Sequence, residues 1–440
     1  MTPELAIRCD DEAGVGALPS VLRLYLGWLL VLSFISAVAG DIYYYIGRYQ
    51  KCCTLVYDDP FFCDLWTYKY DFQFFHHAIF FHLPNRFAYP AFTAVAYDLV
   101  YHLGRHTQAI YVATELAIAV FASCLFFRKL RNTGVSPFPA TVLVVSTFVF
   151  SYPFLYMLQS GNVEIVTCVF TASGLLLLLK RHDHAAAICW AAAGAFKIYP
   201  IILLAIFLSK TKWRSFLLGL AAFASICLLS MWFVGPTISA AFSGTINGVG
   251  GFVSTYAERV KTNELPIDHS LLAPIKIFGY EMAHRTGTLS YLTKPYIVVA
   301  GTLATLVYFL RVRNMPLANQ AIFLFASMIV LPPVSFEYTT VHMYAPWAML
   351  VIVALRAAYE GKKLQGLRTM FICFAVMFTS QRYIYYHWIY PNGTFKVIAL
   401  VILIVVALRY PIPDELLQLK ETTTVPLKAS SESADFRYLS

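Results

Sequence analysis

Charge is what this chain has least of: Asp, Glu, Lys and Arg together make 13% of its 440 residues, against 59% hydrophobic. That leaves too little polar surface to solvate a globule of this length, and excludes an ordinary soluble domain. Alternating short apolar segments are missing as well, because the hydrophobic residues come as continuous runs, which excludes a membrane β-barrel. There is no Asp-x-Asp motif and no Rossmann-type glycine loop, so no element is shaped to hold a nucleotide sugar. The first twenty residues carry charges of both signs and no small-residue cleavage site precedes a short apolar core; the first run reads as a retained anchor, not a signal peptide. Cysteine shows no metal-ligand spacing. Nine are scattered, and Cys124, Cys168, Cys189, Cys227 and Cys373 lie inside apolar runs, where a thiol packs as a small hydrophobe. Only Cys52, Cys53 and Cys63 share a loop, where one disulfide could form in an oxidising compartment.

What is present is an all-α polytopic membrane protein. Apolar runs long enough to cross ~30 Å of hydrocarbon recur at about 21–39, 107–127, 139–157, 163–179, 214–234, 295–310, 317–334, 342–358, 367–381 and 394–408, which predicts about 10 full spans. The turns 128–132, 180–184, 210–214, 311–314 and 356–368 are dense in Lys and Arg and are assigned to the cytoplasm. The chain then divides into a cytoplasmic segment 1–20, a transmembrane domain 21–410 and a polar cytoplasmic tail 411–440. The net charge of +9 is accounted for by insertion and contact with membrane lipids, with no nucleic-acid partner.

Between Arg181 and Lys210, two apolar halves of about 12 residues meet at Lys197 and Tyr199-Pro200. Each is too short to cross the bilayer, which predicts a hairpin of short helices with Lys197 at its tip, deep in the protein. The outer loops 40–106 and 235–294 are too long for simple connectors and rich in aromatics, which suggests helices lying in the interface. His76, His77 and His82 lie in the first of them, but no accompanying cysteine or carboxylate spacing supports a metal site, and none is expected.

Polar groups collect at the outer span ends. Asp41 follows the first run, where a carboxylate beside hydrocarbon needs a partner or a function; its bland reading is an interfacial acid beside an aromatic belt. Gln159, Asn162 and Glu164 share a sharp turn, Asp268-His269-Ser270 precedes another span, and Glu337 and His342 follow Pro332-Pro333. Lys197 has two readings: an anion ligand, or a lysine snorkelling or paired with Glu164.

Gly40-Asp41, Tyr89-Pro90, Gln159-Ser160-Gly161-Asn162, the stretch AAAGAFKIYP at 191–200, KTKWR at 210–214, Asp268-His269-Ser270-Leu271 and Pro332-Pro333-Val334-Ser335-Phe336 with His342 occur in an order that resembles glycosyltransferase family 87. These are polyprenyl-phosphate-mannose-dependent α-mannosyltransferases of the GT-C class, and the resemblance covers about 20–410. It implies a GT-C-like bundle and transfer of a hexose, mannose first, from a polyprenyl-phosphate donor to a glycolipid or glycan acceptor with inversion. The sugar-bearing lipid is then a substrate, and no cofactor is expected. The active site would face the periplasm or exterior of an inner membrane. In that reading Asp41 is the general base, Lys197 and His342 hold the donor phosphate, and Gln159, Asn162, Tyr199, His269 and Glu337 bind substrate. The rival reading is a lipid or solute transporter, but such proteins often carry paired broken helices, and only one short hairpin is found here.

Overall fold

The computed structural model describes residues 17–47, 62–69, 71–77, 87–209, 211–258, 267–283, 290–380 and 392–417. Within them the chain is helical, and the only ladder pairing is one isolated bridge between Asp268 and Phe336. In chain order the helices are α1 (Ser20–Gly47), α2 (Cys63–Thr67), α3 (Ala91–Tyr101), α4 (Thr107–Asn132), α5 (Pro137–Phe148) and α6 (Tyr152–Ser160). Next come α7 (Glu164–Leu179), α8 (Asp183–Phe196), α9 (Ile206–Ser209), α10 (Trp213–Val234), α11 (Ile238–Phe252) and α12 (Leu272–Ala283). The last five are α13 (Ser290–Leu310), α14 (Leu317–Val330), α15 (Tyr344–Tyr359), α16 (Leu367–Phe378) and α17 (Asn392–Arg409).

Among the described residues, five helical stretches are long and apolar enough to cross a bilayer: Ser20–Val38, Gly104–Asn132, Trp213–Val234, Leu292–Asn314 and Glu337–Tyr359. A sixth arises if α5 and α6, bent by 44° across a break where Ser151 is extended (φ −73°, ψ 144°), count together. The chain is a multi-pass helical membrane protein. Length alone does not reproduce the expected count of about ten, because α7, α14 and α16 have only 16, 14 and 12 residues. At 1.5 Å per residue these are roughly 24, 21 and 18 Å long, less than the hydrocarbon thickness. Burial explains α14: every residue from Leu317 to Val330 is buried, so this helix, apolar nearly all round, packs inside protein rather than against lipid. Lipid-facing apolar side chains sit instead on α4 (Val120, Phe121), α10 (Leu229, Trp232) and α13 (Val298, Leu310).

The first helix differs from the expectation that its run ends near residue 39. Its backbone stays helical through Gly40 and Asp41 to Gly47; a single glycine costs a helix only about 1 kcal/mol, and no proline stops it.

The segment around Lys197 is a hairpin. One arm is α8; Lys197 then turns extended (φ −139°, ψ 129°), and the return arm is a 3₁₀ stretch, Tyr199–Ala205, with Pro200 in its first turn, followed by α9. Trp190 and Phe207 pack between the arms, ring centroids 5.5 Å apart. Against its other side α8 lies close to α7. A Cβ on Gly174 of α7 would fall 2.3 Å from Trp190 Nε1, and that nitrogen donates to Thr171 O at 3.1 Å. Glycine at 174 is therefore what lets the two helices approach. The Thr93 hydroxyl of α3 donates to Phe196 O, satisfying a carbonyl that the end of α8 leaves open.

Candidate active site

The polar end of the bundle is built on the turn between α6 and α7. Gly161 ends α6 at φ +67°, a left-handed conformation that costs little only for glycine, and reverses the chain so that Asn162 and Glu164 are wholly buried at the start of α7. A Cβ there would lie 3.0 Å from that of Leu65. Short α2 therefore sits directly on the turn, with Phe62 N donating to Gln159 O at 2.7 Å.

Glu164 is the hub of a network drawn from four parts of the chain. Its Oε2 accepts from Lys197 Nζ at 2.5 Å; its Oε1 lies 2.6 Å from His342 Nε2 and accepts from the Tyr199 hydroxyl. Lys197 donates also to Asn162 Oδ1 at 2.9 Å, an oxygen that takes the Glu164 amide at 3.1 Å. The Asn162 amide nitrogen reaches Asp64 Oδ2 at 2.7 Å. His342 Nδ1 is 2.9 Å from the Thr171 hydroxyl, and its Nε2 is 3.1 Å from that of Tyr199. The rings of Tyr89 and Tyr338 stand 5.1 and 4.6 Å from Lys197 Nζ, close enough for cation–π attraction.

Burying an ammonium and a carboxylate costs several kcal/mol each, and only close geometry with the remaining donors and acceptors filled offsets it. Glu164 and Lys197 meet that condition: the side chain of Glu164 is fully buried, and that of Lys197 is 6% exposed. Next to α2, burial and then the nearby Asp64 carboxylate push the Tyr68 phenol above its ordinary range, which keeps it a hydrogen-bond donor in the aromatic wall there.

A second cluster adjoins the first through one 3₁₀ turn, Glu337–Met343, whose last residues include His342 and whose Tyr338 covers Lys197. Glu337 accepts from Lys396 of α17 and lies 2.7 Å from His269 Nε2, all three side chains being fully buried. Asp268 holds the preceding turn: its Oδ1 accepts from the amides of Ser270 and Ser335 at 2.9 and 3.0 Å, and Lys276 Nζ stands 3.5 Å from Oδ2.

The structure thus brings Asn162, Lys197, Tyr199 and His342 into one network, with Glu164 as their common partner. Lys197 is paired with Glu164. His269 and Glu337 are placed together in the neighbouring cluster, facing each other. Gln159 is buried near the end of α6, where its backbone oxygen anchors α2. The side chain of Asp41 lies outside the described residues, as do Cys52, Cys53 and His82. Sequence reasoning missed Asp64, Tyr338 and Lys396. For Lys396 a signal existed, a lone cation inside a membrane-length apolar run; for Asp64 none did, since it lies in an aromatic loop with no periodicity. Among the described residues no group of three or more His, Cys, Asp or Glu side chains is arranged to hold a metal ion.

These features define a multi-pass helical membrane protein with a buried polar network centred on Glu164 at one end of its bundle. The family model of Glycosyltransferase family 87 matches residues 87–333, more than half of the chain and including Asn162, Glu164, Lys197 and Tyr199. The chain belongs to that family and is a membrane glycosyltransferase. No curated protein and no solved structure gives a significant match.

Proposed function

We propose that the protein transfers a hexose, with mannose the expected sugar, from a polyprenyl-phosphate donor to a glycolipid or glycan acceptor on the outer face of an inner membrane, with inversion at the anomeric carbon. The observation that carries this reading is the fixed ammonium of Lys197, held by Glu164 and Asn162 at the end of α8. A lysine anchored by a glutamate can still serve a phosphate, as the paired lysine and glutamate of protein kinases do. The pairing with Glu164 and Asn162 fixes the position of the amine at the end of α8. Placement supports the same reading. The network lies at the far end of α7 from the cationic turn 180–184, about 24 Å of helix away, which is the outer side when the cationic turns face the cytoplasm.

In the proposed step the acceptor hydroxyl oxygen bonds to the anomeric carbon as the bond from that carbon to the donor phosphate oxygen breaks. The hydroxyl proton passes to Asp41, near the C-terminal end of α1, and the leaving electron pair goes to the polyprenyl phosphate. Lys197 and His342 stabilise charge as it builds on that phosphate. The leaving group departs as an anion, so no general acid is required. Asn162 and Tyr199 shape the sugar pocket, with Gln159, His269 and Glu337 in supporting positions.

Purified protein in lipid nanodiscs, offered a panel of polyprenyl-phosphate sugars and extracted membrane glycolipids, tests the reading directly. Turnover is expected with the mannosyl donor, and Asp41→Asn is expected to lower it by about 10²–10⁴ without altering folding. Transfer from a nucleotide sugar alone, or near-normal turnover in the Asp41→Asn protein, would remove the donor or the base from this scheme.

A further inference from the structure

A second polar site lies at the opposite end of the α7–α8 pair from Glu164 and Lys197. The turns entering α8 and α10 enclose a groove of about 800 Å³ whose lining includes Arg181, Asp183, His184, Lys212, Trp213 and Arg214. Its charges do not cancel. The single carboxylate, Asp183, is paired with Lys212, and His184 Nδ1 is 3.1 Å from the Ser215 hydroxyl. Neither Arg181 nor Arg214 has a carboxylate partner among the described residues, and both are exposed. Two permanent cations therefore face the groove uncompensated.

Apolar surface continues from the same place. Trp213, Leu217 and Leu220 are 56%, 59% and 38% exposed and recur at helical spacing along one stripe of α10, and Ile188 of α8 is 46% exposed. A tryptophan beside cations at the start of a span is the pattern of a side chain seated at a membrane interface. A free phosphate would be served by the arginines and would leave the stripe unused. A phospholipid uses both, its head between Arg181 and Arg214 and its chains along Trp213, Leu217 and Leu220.

We propose that this groove binds the phosphate headgroup of an anionic phospholipid from the leaflet at that end of the bundle. The site is separate from the transfer chemistry and stands or falls independently of it. Each cation near an anionic headgroup contributes roughly fivefold in binding, so Arg181→Gln with Arg214→Gln should weaken it about 30-fold.

Native mass spectrometry of the full chain, released from micelles doped with phosphatidylglycerol or phosphatidylcholine, measures this. Retained phosphatidylglycerol is expected on the unaltered protein in excess of phosphatidylcholine, about 30-fold weaker in the double arginine variant, and unchanged when Arg313 and Arg368, in other cationic turns, are replaced by glutamine. Equal losses in both variants would mean diffuse surface charge and overturn the site. Displacement of the lipid by millimolar inorganic phosphate, with no effect of Trp213→Ala and Leu217→Ala, would make it a free-anion site and overturn the lipid assignment. All substituted side chains are exposed, and a melting curve on each variant separates lost binding from lost fold.

Discussion

Replacing Glu164 by Gln removes one charge while leaving an amide oxygen for the Lys197 donor, so it isolates the electrostatic part of the pair. Lys197 is then a cation in a space that excludes water, held by Asn162 Oδ1 at 2.9 Å and the two tyrosine rings. Breaking a buried pair in this way costs about 3–5 kcal/mol, a large part of a total stability of roughly 5–15 kcal/mol. Lys197→Met strands Glu164 instead and should cost a similar amount, moderated by the donors it keeps from Tyr199 and His342. Removing both charges, as in Glu164→Leu with Lys197→Met, leaves no unpaired ion and should restore most of the loss, because an apolar replacement of a buried pair is often close to neutral. Unfolding of the unaltered protein, Glu164→Leu, Lys197→Met and the double variant in mixed micelles, followed by circular dichroism against rising denaturing detergent, closes the cycle and yields the coupling energy. A value of about 5–9 kcal/mol is expected, the sum of the two single losses less a residual of about 1 kcal/mol in the double variant. Single losses below about 1 kcal/mol that simply add would refute the reasoning, since that is how an exposed pair in water behaves.

Lys197→Met should also lower kcat/KM for the lipid-linked donor by about 10²–10³, the size of effect seen when one stabiliser of a developing anion is removed; steady-state kinetics that vary only donor concentration will show it, and an unchanged value would confine Lys197 to holding the fold. Gly174→Leu drives a side chain into Trp190, whose Nε1 would stand 2.3 Å from the new Cβ. A loss of about 1–3 kcal/mol or more is expected from overpacking, with α7 and α8 forced apart; a thermal melt matching the unaltered protein would show that Trp190 can move aside. Lys396→Met removes the cation paired with the buried Glu337 carboxylate beside His269 and should cost about 3–5 kcal/mol, read as lower folded yield and an earlier detergent midpoint.

The class of the protein was legible from composition, because a chain with 13% charged residues can bury its backbone polar groups only by staying in lipid as helices. The hairpin around Lys197 was legible too, since two apolar halves of about 12 residues flanked by cations can neither cross the bilayer nor remain in water. The number of full crossings was not, and the reason is α14: an apolar run reads the same whether lipid or protein surrounds it, and only packing showed it enclosed by the protein. The site divides in the same way. Residue type and position along the chain brought Asn162, Glu164, Lys197 and His342 forward, because ionisable and amide groups at membrane depth must be used or paired, and Tyr199 came with the family resemblance. That Glu164 reaches His342, that Asp64 reaches the network through Asn162, and that Lys396 secures Glu337 in a separate cluster are contacts between residues 59 to 178 positions apart. No local pattern encodes such contacts. Sequence alone determined that these polar groups must find partners inside the bundle; the tertiary structure decided which, because pairing of buried charges depends on distances of a few ångströms that only the packed helices set.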